Sequence, residues 1–147
     1  MTAEEPLVVT FDVRSGADRA FDLWTMRTSL WWPKAHTISG DPDSIVFEPY
    51  PGGRIFERGK DGAEHVWGEV THWDEPREVA FRWHLFFAPD QATDVTITFE
   101  PDGEITHVRI SQSGFARLGE AGQLRREATT NGWAATVAAF TAAAEAG

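Results

Sequence analysis

Between Ser44 and Gly114 the chain is cut at short intervals by turn-forming residues, and this punctuation constrains its fold more than any other feature. The cuts are Pro51-Gly52-Gly53, Asp61-Gly62, Glu75-Pro76 and Asp102-Gly103. Gly takes the left-handed conformations that tight turns need and Pro fixes φ, so the runs between them stay short. Those runs are rich in Val, Ile, Phe, Trp and Thr, which predicts an antiparallel meander. Ahead of it, LVVTFDV at residues 7–13 reads as a strand, and Ser15-Gly16 opens a helix with Ala20, Phe21 and Trp24 on its buried side. A second short helical or irregular piece carries Leu30-Trp31-Trp32 as far as Pro33. After Gly122 the pattern is one long helix, from Leu124 to Ala144, with Trp133, Val137, Phe140 and Ala144 at i, i+4, i+7 and i+11. A sheet with one apolar face and a helix with one apolar stripe must cover each other, so a single α+β domain over residues 1–147 is expected.

Register sharpens this expectation. A hairpin turning at Asp102-Gly103 sets Ile97 against Val108 and Val95 against Ile110, with His107 and Arg109 on the other face. Across Pro76, setting Trp73 against Glu78 pairs Val70 with Phe81, Val66 with Leu85 and Gly68 with Trp83, and puts His72 inward. It also pairs Glu69 with Arg82 and Trp67 with His84 on the outer face. Continued to Asp61-Gly62, the alternation puts Phe56 beside Trp67 outside, where they would form an apolar patch suited to a dimer. The same step turns Glu57 inward, and Glu48 follows it if the Pro51-Gly52-Gly53 turn keeps register. A carboxylate facing an apolar interior needs a partner or a purpose.

Charge and composition exclude several function classes. Lys and Arg total 13 against 23 Asp and Glu, a formal net charge of −10, which opposes nucleic acid or anionic membrane as the main partner. With no Cys, disulfides, thiolate catalysis and Cys-based zinc sites are absent. The opening MTAEEP is unlike a secretory signal and no apolar run is long enough to span a membrane, so a cytoplasmic protein is expected. Seven Trp and ten Phe in 147 residues supply rings enough for a core and for the walls of a pocket.

The run PGGRIFERGKDGAEHVWGEVTHWDEPREVAFRWH, then TDVTITFEPDGEITHVRISQSGF, then NGWAATVAAF, resembles the SRPBCC superfamily. Within it the order Gly-Gly, Asp-Gly, Trp-Gly-x-Val, Gly-Phe and a Gly-Trp helix is similar to the branch related to the C-terminal domain of the activator of heat-shock-protein-90 ATPase. The resemblance covers nearly the whole chain. It implies the helix-grip fold, a curved antiparallel sheet wrapped around a long C-terminal helix, with two short helices after the first strand. It further implies a cavity between sheet and helix, which holds an apolar ligand in related branches.

On that frame the expected wall comprises Trp31 and Trp32 at the entrance, Val66, Phe81, Trp83, Ile97 and Val108 on the sheet, and Trp133, Val137 and Phe140 on the helix. Gly68 and Gly132 omit side chains where sheet and helix would pack, which leaves room for a cavity or for a close approach of backbones. Glu57 supplies the polar end that orients a ligand, or pairs structurally with Arg14 or Arg126. Glu57, Glu48 and His36 are the candidates for acid/base chemistry. Their spacing matches no metal-site motif, and neither metal nor cofactor is expected. His65, His84 and His107 read as surface residues.

The expected function is binding of a small apolar or aromatic ligand by a monomer or homodimer. An enzyme of cyclase, dehydratase or hydrolase type, using the same carboxylates, is the first alternative. A chaperone-interacting domain is the second, although the sequence holds the domain alone and no residue that marks a chaperone contact.

Overall fold

The runs delimited by the turn residues become seven strands of one antiparallel sheet. A computed structural model describes residues 5–146; residues 1–4 and 147, also part of the expected domain, lie outside the described residues. The strands are β1 (Leu7–Val13), β2 (Ser44–Phe47), β3 (Arg54–Arg58), β4 (Glu64–Asp74), β5 (Glu78–Trp83), β6 (Thr93–Asp102) and β7 (Ile105–Ser113). Helix α1 (Ala17–Thr25) follows β1, and α2 (Glu120–Glu145) closes the chain. Single 3₁₀ turns at Thr28–Leu30 and Lys34–His36 bracket Trp31 and Trp32. The sheet order is β1-β7-β6-β5-β4-β3-β2, so only the β1–β7 pairing joins strands distant in sequence. The sheet curves around α2, which gives the helix-grip α+β fold.

The stripe on α2 is the one its spacing predicts. Trp133, Phe140 and Ala144 are buried and Val137 packs against the core at its edge. Ala20, Phe21, Leu23 and Trp24 bury the inner side of α1. Aromatic side chains fill the middle of the grip: Trp24 stacks on Trp31 and Phe140 at centroid distances of 4.7 and 4.8 Å, and Trp31 meets Phe140 at 5.1 Å. Ring pairs of this geometry contribute about 0.5–1.5 kcal/mol each beyond the area they bury.

Several registers are as expected, and the exceptions are local. Gly68 lies opposite Trp83, Glu69 opposite Arg82 and Val70 opposite Phe81. In the β6–β7 hairpin Ile97 pairs with Ile110 and Phe99 with Val108, two positions from the expected partners, because the turn sits at Gly103-Glu104 with Gly103 at φ 62°. A shift of two keeps every side chain on its face. Two bulges in β4 do not. The first leaves Phe56 opposite Val66 and passes over Trp67, so Trp67 turns inward and is fully buried while Val66 is 41% exposed. The second follows Val70 and turns His72 outward, where it meets Glu78 at 3.2 Å. An extra residue in one strand reverses the alternation beyond it. The expected outer patch of Phe56 and Trp67 is therefore absent, and Phe56 lies buried beneath the guanidinium of Arg54, 4.4 Å from its ring. His84 is buried as well, against the surface position expected for it.

Candidate functional site

Glu57 points inward from β3, as the alternation requires, and its side chain is fully buried. Its Oε1 accepts from the backbone N–H of Ile38 at 2.5 Å and from Trp67 Nε1 at 2.9 Å. Its Oε2 accepts from the N–H of Ser39 at 3.0 Å and from Ser39 Oγ at 2.7 Å. Burial alone would push the carboxyl up; the four donors outweigh it and hold it below the usual glutamate range. These donors, not Arg14 or Arg126, are its partners. The carboxylate thus pins the segment after His36 to the sheet.

Glu48 does not turn inward with Glu57. It sits on the outer side beyond the end of β2, half-buried, where its Oε1 accepts from the Arg54 backbone N–H at 2.6 Å and from Arg54 Nε at 3.3 Å. The Pro51-Gly52-Gly53 turn sets it one step out of phase with Phe47, which points into the core. Glu48, Glu57 and His36 do not form a cluster, and among the described residues no group of three or more His, Asp or Glu is placed to hold a metal.

A space between sheet and helix lies at one end of the grip, beside the first half of α2. It is a cavity of about 300 Å³. Its walls are Trp32, His36, Trp83, Leu85, Phe86, Phe87 and Gln112 on the sheet and loop side, with Arg125, Ala128, Thr129, Gly132, Trp133 and Thr136 from α2. Of the expected wall, Trp32, Trp83 and Trp133 are here, and His36 with them. Trp31, Phe81, Ile97, Val108 and Phe140 lie in the solid core instead, Val137 at its edge, and Val66 outside. The reason is volume: Trp24, Trp31 and Phe140 occupy the middle of the grip, so the remaining space is displaced towards Trp83 and the β5–β6 loop. Trp32 connects the two regions, 5.5 Å from Trp31 and 5.8 Å from Trp83.

Four polar residues of these walls, Gln112, Arg125, Thr129 and Thr136, stand outside the expected set. Gln112 is 1% exposed; its Nε2 donates to Thr93 Oγ1 at 2.8 Å, and its Oε1 accepts from Trp133 Nε1 at 2.7 Å. Its signal was the inward alternation Val108, Ile110, Gln112. Arg125 is 7% exposed. It donates through Nη1 to the Gln91 carbonyl and through Nη2 to the Trp83 carbonyl at 3.1 Å, and its guanidinium lies 3.8 Å from the centre of the Phe87 ring. Its signal was the helix period, because Thr129, Gly132, Trp133 and Thr136 stand at i+4, i+7, i+8 and i+11 from it. Burial lowers its pKa to about 10, which leaves it a cation at neutral pH.

A family model described as "Activator of Hsp90 ATPase homolog 1-like protein" matches residues 14–145. Among solved structures, CalC from Micromonospora echinospora, described as a self-sacrificing resistance protein, is similar at 26% identity and TM-score 0.75, over 93% of this chain and 92% of that one. The anthrahydroquino-γ-pyrone synthase Txn09 is similar at 28% identity and TM-score 0.61, over 82% of this chain and 83% of that one. Protein Ms6760 from Mycobacterium smegmatis, at 20% identity and TM-score 0.69 over 97% and 91%, shares the fold. No curated protein matches the sequence. Among the described residues no helix is long and apolar enough to cross a membrane.

Proposed function

The chain belongs to the Activator of Hsp90 ATPase homolog 1-like family, a branch of the SRPBCC superfamily, and from that premise we propose that it binds a small aromatic molecule in the cavity beside the first half of α2. The observation that carries this is the composition of the walls around about 300 Å³ of space: three Trp, two Phe and a Leu, with a few polar groups set among them. Ligand sites of this type are apolar with a small number of placed polar atoms, and this volume is at their lower end. Flat rings suit such walls because indole and phenyl faces pack against them over large areas. The likeness to Txn09, a synthase named for an oxygenated aromatic skeleton, favours the same ligand type.

An enzyme acting on that ligand is the second reading. It draws on the same likeness and on His36, a titratable side chain in the wall. Glu57 has no place in it, since both carboxylate oxygens are already engaged.

Calorimetric titration with naphthamide, a neutral bicyclic probe, tests the binding reading. Saturable binding in the wild type, abolished in Gly132→Leu, is the expected result. A Cβ at Gly132 meets nothing within 4 Å, so the added side chain enters the cavity rather than the core. A wild type that binds neither naphthamide nor naphthoate overturns the reading.

A further inference from the structure

Among the described residues, no negative charge matches the positive charge that this cavity contains. Arg125 is nine-tenths buried, and no carboxylate stands among the residues that line the space with it. Its two carbonyl acceptors, on Gln91 and Trp83, satisfy two of five N–H donors and neutralise nothing. Capping two carbonyls needs only a neutral amide; placing a guanidinium there means desolvating an ion, which is costly unless something compensates. The Phe87 face offsets part of that cost. His36, half-buried in the same wall, and the Nε2 amide of Gln112 add donors but no anion.

We propose that the cavity selects anionic aromatic molecules, those carrying a carboxylate or an acidic phenolate, and that Arg125 is the residue that recognises the anionic oxygen. This rests on the binding reading above and names its ligand class. The rings lie against Trp32, Trp83 and Trp133, and the oxygen replaces the missing counter-ion of the guanidinium. Selectivity has a clear physical source. A neutral isostere gains the same aromatic contacts but leaves the buried cation unpaired, whereas an anion forms charge-assisted hydrogen bonds in a region of low dielectric. Such bonds favour the anion by roughly 10- to 100-fold.

Naphthoate and naphthamide are nearly isosteric and differ in charge, so the ratio of their affinities reads the proposal directly. In the wild type naphthoate is expected to bind at least about tenfold tighter. The ratio should fall towards one in Arg125→Met and persist in Arg125→Lys. Because Arg125 also holds the β5–β6 loop, a measurement on the unmodified chain accompanies the variants: a guanidinium N–H resonance of Arg125 should move strongly downfield, as on hydrogen bonding to a carboxylate, with naphthoate and not with naphthamide. Saturable binding of both probes with a ratio near one overturns the proposal and leaves the aromatic cavity standing. A preference that survives in a folded Arg125→Met variant removes Arg125 from the role. Binding of neither probe overturns the cavity reading itself, and the proposal with it.

Discussion

Trp67 Nε1 donates to Glu57 Oε1 at 2.9 Å, with both side chains sealed from solvent, and this bond fixes what the buried carboxylate does. The indole arrives there because the bulge in β4 turns Trp67 inward, and the other three donors to Glu57 come from residues 38 and 39. The pair therefore ties the segment after the Trp31-Trp32 piece to the sheet. Replacing Glu57 by Gln puts an NH2 group against at least one of those N–H donors, and leaving one such group unsatisfied costs about 1–3 kcal/mol. Glu57→Gln is expected to lose about 2–3 kcal/mol of stability in urea unfolding. A loss under about 0.5 kcal/mol would mean that the segment stands without the carboxylate.

The same bonds give the protein an acid limb. Glu57 is held below its ordinary pKa in the folded chain, so it favours folding fully above the unfolded value, about 4.3. That contribution falls away as pH drops through the lower, folded pKa. Denaturant midpoints of the wild type and Glu57→Gln should accordingly be well separated at pH 7 and converge below about pH 4. A constant gap across that range would mean that the carboxyl does not titrate with unfolding.

Gly68 and Gly132 look alike in the sequence and are opposite in space. A Cβ at Gly68 would stand 2.0 Å from the Arg82 carbonyl oxygen, so this glycine permits two strands to approach. A Cβ at Gly132 would meet nothing within 4 Å, and this glycine borders the cavity. Gly68→Ala is expected to destabilise by about 1–3 kcal/mol, the range of an overpacked site. Gly132→Ala should instead raise stability by up to about 1 kcal/mol, the helix preference of Ala over Gly. Thermal unfolding of the two variants checks both signs, and a common sign would refute this division of roles.

That contrast shows how far pattern reading extends here. Turn residues, apolar alternation and the α2 stripe were enough to set the element order and the helix-grip architecture, because each is a local signal repeated over many residues. The β6–β7 register moved by two and cost nothing, since an even shift preserves the face. The bulges at Trp67 and Thr71 each insert one residue and reverse every face assignment beyond it, which is why Val66, Trp67 and His72 face opposite to what simple alternation expects. No period-of-two reading can contain such an insertion. The cavity was harder still. Its position depends on where Trp24, Trp31 and Phe140 leave space, and this is a property of the packed volume. Arg125 was legible on the helix period, but its charge concealed it among surface candidates.

Phe86 lies in the cavity wall, 59% exposed, with φ at 70°. A side chain in this left-handed region carries a cost of about 1–2 kcal/mol that Gly avoids. Strain of this kind persists where the surrounding structure enforces it, and the ring it presents borders the ligand space. Phe86→Gly should hold or raise the unfolding temperature while weakening naphthamide binding roughly 3- to 10-fold, the value of one aromatic contact. Phe86→Ala separates the two effects, since it loses the ring and keeps most of the strain. It should lose the same affinity and gain no stability. Equal stability in the Gly and Ala variants would show that the backbone relaxes freely at this position, and undiminished affinity in both would take the ring out of the site.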